Sequence, residues 1–262
     1  RDRIGLTNPF IKANAVKFVL DGVIEGHTAA MLEKYNDLKA ADSLAHGQMA
    51  MSFDIFAEEV TRYDRLGFQI YVHAIGDRGV RETLNAYEQA MQKNASKNRR
   101  HRIEHIETIQ SSDMPRFAKL GVIASMEPIH AEPDTLLVWQ QAIGQKRLPN
   151  SFAWNDLLAA KASLVFSSDW PACVALDPVR GLHVAVTRQT IDGRPPQGWV
   201  AKQKIAIADA LHAYTVMGAY ASFDEQWKGQ LKPGFVADLI VHSHHLFKID
   251  PTLIYQDKVD LT

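Results

Sequence analysis

The chain has 262 residues, 46% of them hydrophobic and 23% charged, with a formal net charge of −1. That profile fits a soluble globular protein of one large domain, or one domain with an appendage, and no basic patch points to nucleic acid. The single cysteine, Cys173, excludes an intramolecular disulfide framework and reads as a small packing residue, while no apolar run reaches the ~18 residues of a membrane span.

The chain opens Arg1-Asp2-Arg3, with neither a methionine nor a hydrophobic signal core. A processed or truncated product is therefore expected, with the cytoplasm as the favoured location and any targeting segment out of view. Ala15 to Leu20 is a short apolar run closed by Asp21-Gly22, and it reads as a buried strand ending in a turn. The polar stretch from about Glu25 to Gly47 reads as a long loop over a site. Ser52 to Leu66 has helical spacing, with Phe53, Phe56, Val60 and Tyr63 on one face, and Gly67 stops it before a strand from Phe68 to His73. Arg78 to Met91 is helical again. The cluster Lys97, Arg99, Arg100 and Arg102 is expected to be a solvated loop leading into the strand His101 to Ile106.

Ser111-Ser112-Asp113 offers an N-cap to a short helix ending near Gly121, followed by a strand from Val122 to Met126. Ser151 to Ala160 reads as helix, Leu164 to Ser168 as strand and Val179 to Thr190 as helix. After a Pro/Gly-containing connection at 192–198 the character changes: Ile207 to Gly218 is helical, and Val236 to Val241 is a strand with no crossover helix after it. Alternating strands and helices imply a parallel α/β sheet.

Four residues stand at or near the ends of these strands: Lys17, His73, His105 and Asp169. His73 and His105 lie 32 positions apart and His105 and Asp169 lie 64 apart, against roughly 31 residues for one strand-plus-helix unit of a (β/α)8 barrel, whose chemistry sits at the carboxyl ends of its strands. The ligand-type side chains therefore fall on one rim. Only five strands can be counted where closure needs eight. Five parallel strands leave two open edges, so the chain is either a fragment of such a barrel or a different, open α/β fold.

The segments around Lys17-Phe18-Val19-Leu20-Asp21-Gly22, Val72-His73-Ala74-Ile75-Gly76-Asp77, His101-Arg102-Ile103-Glu104-His105, Ser167-Ser168-Asp169-Trp170-Pro171 and Lys232-Pro233-Gly234-Phe235-Val236-Ala237-Asp238-Leu239 resemble, in order, signatures of the amidohydrolase superfamily, and specifically its family 3, the branch of YtcJ-like and N-substituted formamide deformylase-like metal-dependent hydrolases. The resemblance implies a partial TIM-type (β/α)8 barrel, strands four to eight, over residues 1–205, with 206–262 as the last helix and the return to part of a small β-sandwich. It implies that Lys17, His73, His105 and Asp169 are metal ligands around one or two divalent ions, most plausibly zinc, that Lys17 becomes a carboxylated lysine bridging them, and that Asp169 is also the catalytic proton carrier. Lys17 in an apolar strand is expected to be buried and to lose its charge readily.

The reaction implied is cleavage of a C–N bond in an amide, formamide or cyclic amide, other than a peptide bond, by metal-activated hydroxide. Asp21, Asp77, Arg102 and Glu104 are candidates for orienting the histidines or for fold-stabilising salt bridges, and Trp170 is a candidate for substrate contact. The expected partners are a small-molecule amide-type substrate and a second copy in a homodimer, with neither nucleic acid nor membrane. The His-x-His pair expected on strand one has no counterpart upstream of Lys17; His242-Ser243-His244-His245 has that spacing but follows the appended strand, far from the rim. The competing readings are an inactive amidohydrolase-like fragment without a functional metal pair, and an open-sheet enzyme that uses no metal.

Overall fold

Five short β-branched and aromatic runs, separated by helical ones, pair side by side in chain order. In the computed structural model, which describes residues 11–95, 98–133, 136–173 and 175–262 (of Leu136 the backbone alone), they are β1 (Ala15–Val19), β2 (Gln69–Ala74), β3 (Arg102–His105), β4 (Ile123–Met126) and β5 (Ser163–Phe166), all parallel. Crossovers that step always to the next neighbour curl such a sheet toward a barrel. Among the described residues it stays open, with β1 and β5 as its outer strands.

The register stacks side chains in rows across the inner face. Lys17, Tyr71 and Arg102 share one row, and Val19, His73, Glu104, Ser125 and Val165 the next. On the outer face Ile70, Val72, Ile103, Ala124 and Leu164 are buried beneath the helices, each full burial of a large apolar side chain being worth roughly 1.5–3 kcal/mol. Helix α1 (Phe53–Arg65) buries Phe56, Ala57 and Val60, and α2 (Asp77–Lys93) buries Val80, Leu84, Tyr87 and Ala90. Helix α3 (Met114–Leu120) ends at Gly121, whose φ of 62° is the left-handed cap that glycine tolerates. The helices α4 (Leu136–Ile143), α5 (Trp154–Ala159), α6 (Pro178–Thr187), α7 (Ile207–Tyr214) and α8 (Val216–Ala221) follow.

Sequence pattern misplaced several features. The helix expected from Ser151 starts at Trp154, because Ser151 bridges to Thr108 and the Phe152 N–H donates to the Glu107 carbonyl. The single helix expected over 207–218 breaks at Thr215, whose hydroxyl turns back to the Leu211 carbonyl; α8 then crosses the foot of the sheet, where the Ala221 carbonyl accepts from Gln69 Nε2. Of the strand expected over Val236–Val241, only β6 (Val241–His242) forms, paired antiparallel with β7 (Val259–Leu261). A strand exists only through its partner, and among the described residues no strand pairs with 236–240, where the Val236 N–H bonds the Trp227 carbonyl in a loop. Helix α4 was not anticipated.

The arginine cluster is not a solvated loop. Lys97 lies outside the described residues. Arg99 pairs with buried Asp64 (2.7 Å), Arg100 is buried against Glu225 (2.6 Å) and over the Tyr220 ring (3.9 Å), and Arg102 lies over the Tyr71 ring (3.5 Å) beside Glu104 (2.9 Å). Partners as distant in sequence as Asp64 and Glu225 are invisible to a local charge run.

Two stability predictions arise here. Asp64 accepts hydrogen bonds from His101, Arg99 and Asn94; despite the cost of desolvation, these hold its carboxyl at about 2. Burial pushes His101 below its ordinary 6.5. On acidification the unfolded chain protonates His101 near 6.5 and Asp64 near 3.8, whereas the native state resists both. The share of stability held by these two groups is therefore lost as the pH falls through the unfolded values, and Asp64→Asn is expected to flatten the urea-midpoint profile below pH 4 relative to the parent. An unchanged slope in that variant would contradict this assignment.

Arg188 is the second case. It is wholly buried, with no carboxylate partner among the described residues, and donates to the carbonyls of Trp199 (2.9 Å), Phe152 (3.4 Å) and Ser151 (3.3 Å) beneath the Trp154 ring at 4.4 Å; burial pushes its guanidinium down to about 9. Arg188→Ala leaves three carbonyls and a cavity, with an expected loss of about 3–5 kcal/mol in urea unfolding. A loss below about 1 kcal/mol would refute the account.

Candidate active site

The carboxyl ends of the parallel strands meet the loop of residues 20–52, which is packed rather than free. Leu20, Ile24, Ala29, Met31 and Tyr35 are buried, and Tyr35 Oη donates to the Ala29 carbonyl. Asp21 fastens this loop to the next: its carboxylate accepts from the backbone N–H groups of Ala30 (2.9 Å), Ile75 (3.0 Å) and Gly76 (2.8 Å). At Gly76 a Cβ would lie 2.0 Å from the Ala30 carbonyl oxygen, so only glycine permits the approach. Desolvation dominates at Asp21 and pushes its carboxyl up to about 7, against those three bonds.

His73 and His105 face each other at this rim with ring centroids 4.5 Å apart. His73 Nε2 donates to the Gly22 carbonyl (3.1 Å) and lies 3.6 Å from Asp21 Oδ1. Because a carbonyl can only accept, the proton is on Nε2, and Nδ1 makes no hydrogen bond to the described residues. Burial, joined by the charges of His105 and Lys17, lowers the pKa of His73 and keeps the ring neutral. His105 has the opposite tautomer. Its Nδ1 donates to Glu127 Oε2 (2.9 Å), and Nε2 makes no hydrogen bond to the described residues; burial opposes its charged form, but Glu127 prevails and the pKa rises. Glu127 is buried and also accepts from Ser167 Oγ (3.0 Å).

His105 and Asp169 hold left-handed backbone, with φ of 79° and 54°. Such conformations cost a non-glycine residue about 1–3 kcal/mol and gather where function requires a particular side-chain direction. Asp169 follows β5, and its carboxylate is about a third exposed. His130, in a turn over Pro128–Ala131, stacks parallel to His105 at 5.8 Å. Its Nδ1 lies 3.6 Å from Glu107 Oε1 and 3.9 Å from Glu127 Oε2, and its Nε2 lies 4.0 Å from Asp169 Oδ2. Against the cost of burial, Glu107 and Glu127 push its pKa up to about 9. A cavity of about 560 Å³ is lined by His73, His105, His130, Asp169, Glu25 and Glu107 among others.

The other sequence candidates are placed as follows. Lys17 sits inside β1 on the same face as His73, but it is exposed, contrary to the burial expected of it, because β1 is an outer strand with an open inner face. It is not among the residues lining the cavity. Asp77 accepts from the Leu32 N–H (2.9 Å) and Gln110 Nε2 (2.5 Å), so it ties loops together rather than touching a histidine. Arg102 and Glu104 pair with each other on the inner face. Trp170 is 60% exposed and outside the cavity lining. His242 is engaged with Asp257 (2.5 Å) in the appendage. Glu107, Glu127 and His130 escaped sequence reasoning, although Glu127-Pro128-Ile129-His130 directly follows a strand end already assigned to this rim.

Two imidazole nitrogens without a hydrogen bond to the described residues and a carboxylate on one cavity suit zinc and related divalent ions, whose binding requires the ring nitrogens to be free of protons. His105, Glu127 and His130 also offer ligand atoms within 4.8 Å of one another. There, however, His105 Nδ1 and Glu127 already share a hydrogen bond, which leaves the trio better suited to orienting His105 than to holding an ion.

The sequence model of the amidohydrolase family matches residues 2–262. Protein LONG AFTER FAR-RED 3 of Arabidopsis thaliana is 30% identical over 87% of this chain and 38% of its own length. Putative amidohydrolase YtcJ of Bacillus subtilis is 27% identical over 95% of this chain and 46% of its own. An N-substituted formamide deformylase of Arthrobacter pascens is 26% identical over 69% of this chain and 32% of its own. The crystal structure of an uncharacterized metal-dependent hydrolase from Pyrococcus horikoshii superposes with a TM-score of 0.76 at 26% identity, over 90% of this chain and 45% of that one. The chain thus spans less than half the length of each of these relatives.

Proposed function

Because this chain belongs to the amidohydrolase family, we propose that it carries much of the active site of a metal-dependent hydrolase that cleaves a C–N bond of an amide, formamide or cyclic amide. The observation that carries this reading is the pair of opposed tautomers, with His73 Nδ1 and His105 Nε2 both uncommitted on rings 4.5 Å apart. His73, His105 and Asp169 would hold the ion, zinc in the first instance, and Lys17, as a carbamate, would join them were a second ion bound. Bound there, a divalent ion polarises the substrate carbonyl and lowers the pKa of water toward neutrality.

The chain's own groups do the rest. Gly22 and Glu127 fix the histidine rings through hydrogen bonds on their far nitrogens. Asp169 takes a proton from the attacking water and returns it to the leaving nitrogen. The loop carrying Val23 and Glu25 lines the cavity that admits a small amide. Within this reading residues 1–205 form the barrel portion and 206–262 the appendage. The N-substituted formamide deformylase similarity favours formamides as the first substrates to test.

The second reading, an amidohydrolase-like fragment without a functional metal pair, draws on the exposed position of Lys17. Metal analysis of the full chain after zinc loading and dialysis separates the two. Near-stoichiometric zinc together with release of formate from N-substituted formamides supports the hydrolase; a metal-free, folded protein rejects it.

A further inference from the structure

His130 has three fixed relations and one open one. Its ring lies parallel to His105 with an interplanar angle of 9°, and its Nδ1 points between Glu107 and Glu127. Glu107 is itself buried and fixed, accepting from Trp139 Nε1 at 3.2 Å. That leaves Nε2 directed to the cavity side, 4.0 Å from Asp169 Oδ2. The separation is too long for a hydrogen bond, yet an atom could sit about 3 Å from both groups, which is the geometry expected around a reacting centre. None of the roles proposed above for the hydrolytic reaction itself uses Glu107 or His130.

We propose that His130 is a further catalytic residue whose Nε2–H donates a hydrogen bond to the carbonyl oxygen of the substrate as negative charge gathers on it, and that Glu107 is the positioning residue that holds the donor. This inference rests on the hydrolase reading of the same cavity. No bond to carbon is made or broken by His130, and no proton leaves it; the gain is electrostatic and grows as the carbonyl becomes tetrahedral. The stack on His105 and the placement of Nδ1 between the Glu107 and Glu127 carboxylates hold the ring beforehand, so little reorganisation is required when charge develops.

The test uses the full chain loaded with zinc and methylphosphonate as a tetrahedral anionic probe, its affinity measured by calorimetry with zinc content and thermal melting recorded for every variant. His130→Ala is expected to weaken methylphosphonate binding by about 100-fold, the scale of a lost oxyanion donor, while zinc stays bound. His130→Gln, which keeps an N–H donor, is expected to recover most of that loss. Glu107→Gln is expected to weaken binding by about 10-fold, and to add nothing in the His130→Ala background, where a merely structural role would still show its cost. The proposal is overturned if the zinc-loaded parent does not bind the probe, if His130→Ala binds it undiminished, or if His130→Ala loses zinc, which would make His130 a ligand. A parent chain that holds no zinc defeats the hydrolase reading and this inference with it.

Discussion

His73→Ala and His105→Ala are each expected to abolish stoichiometric zinc binding and, with it, any hydrolysis. Each removes one of two ring nitrogens that the fold presents uncommitted, and the ligand set remaining is too small to hold a catalytic ion. Plasma emission analysis after dialysis reads the first effect directly. A graded companion is Glu127→Gln. It leaves the ligand atoms in place but weakens the hydrogen bond that fixes His105, and should lower zinc affinity 10- to 100-fold, the usual cost of losing such a supporting contact. If either histidine variant retains full zinc, the ion is held elsewhere.

The second large effect is expected of Asp169→Asn. The carboxylate sits on the cavity beside His130 on strained backbone, and the amide that replaces it can still offer an oxygen but cannot carry a proton from water to the leaving nitrogen. Turnover of an N-substituted formamide should fall by about 10²- to 10⁴-fold, with a much smaller drop in bound zinc. Comparable losses of metal and rate would reduce Asp169 to a ligand, and undiminished turnover would remove it from the chemistry.

The parallel sheet was legible because its strands are short apolar runs at a nearly constant spacing, and the same spacing points His73, His105 and Asp169 to one rim, where they line one cavity. What sequence could not show was the company those residues keep. The tautomer of His105 depends on Glu127, a strand away, and that of His73 on a loop carbonyl. The exposure of Lys17 follows from the open inner face of β1, a tertiary fact that an apolar strand pattern does not carry. The buried ion pairs of Arg99 and Arg100 reach acids in distant elements, so the local run of positive charge misled. The expected strand over 236–240 failed for the same reason in reverse: the pattern was suitable, but pairing is decided by a partner.

Anomalous diffraction at the zinc edge from crystals of the zinc-loaded chain bears most directly on the claim that this rim is a metal centre. The account predicts a peak within about 2.0–2.2 Å of His73 Nδ1 and His105 Nε2, with the bonds to Gly22 and Glu127 intact behind them. A peak between His105 Nδ1, Glu127 and His130, or no peak in a folded crystal, would contradict it.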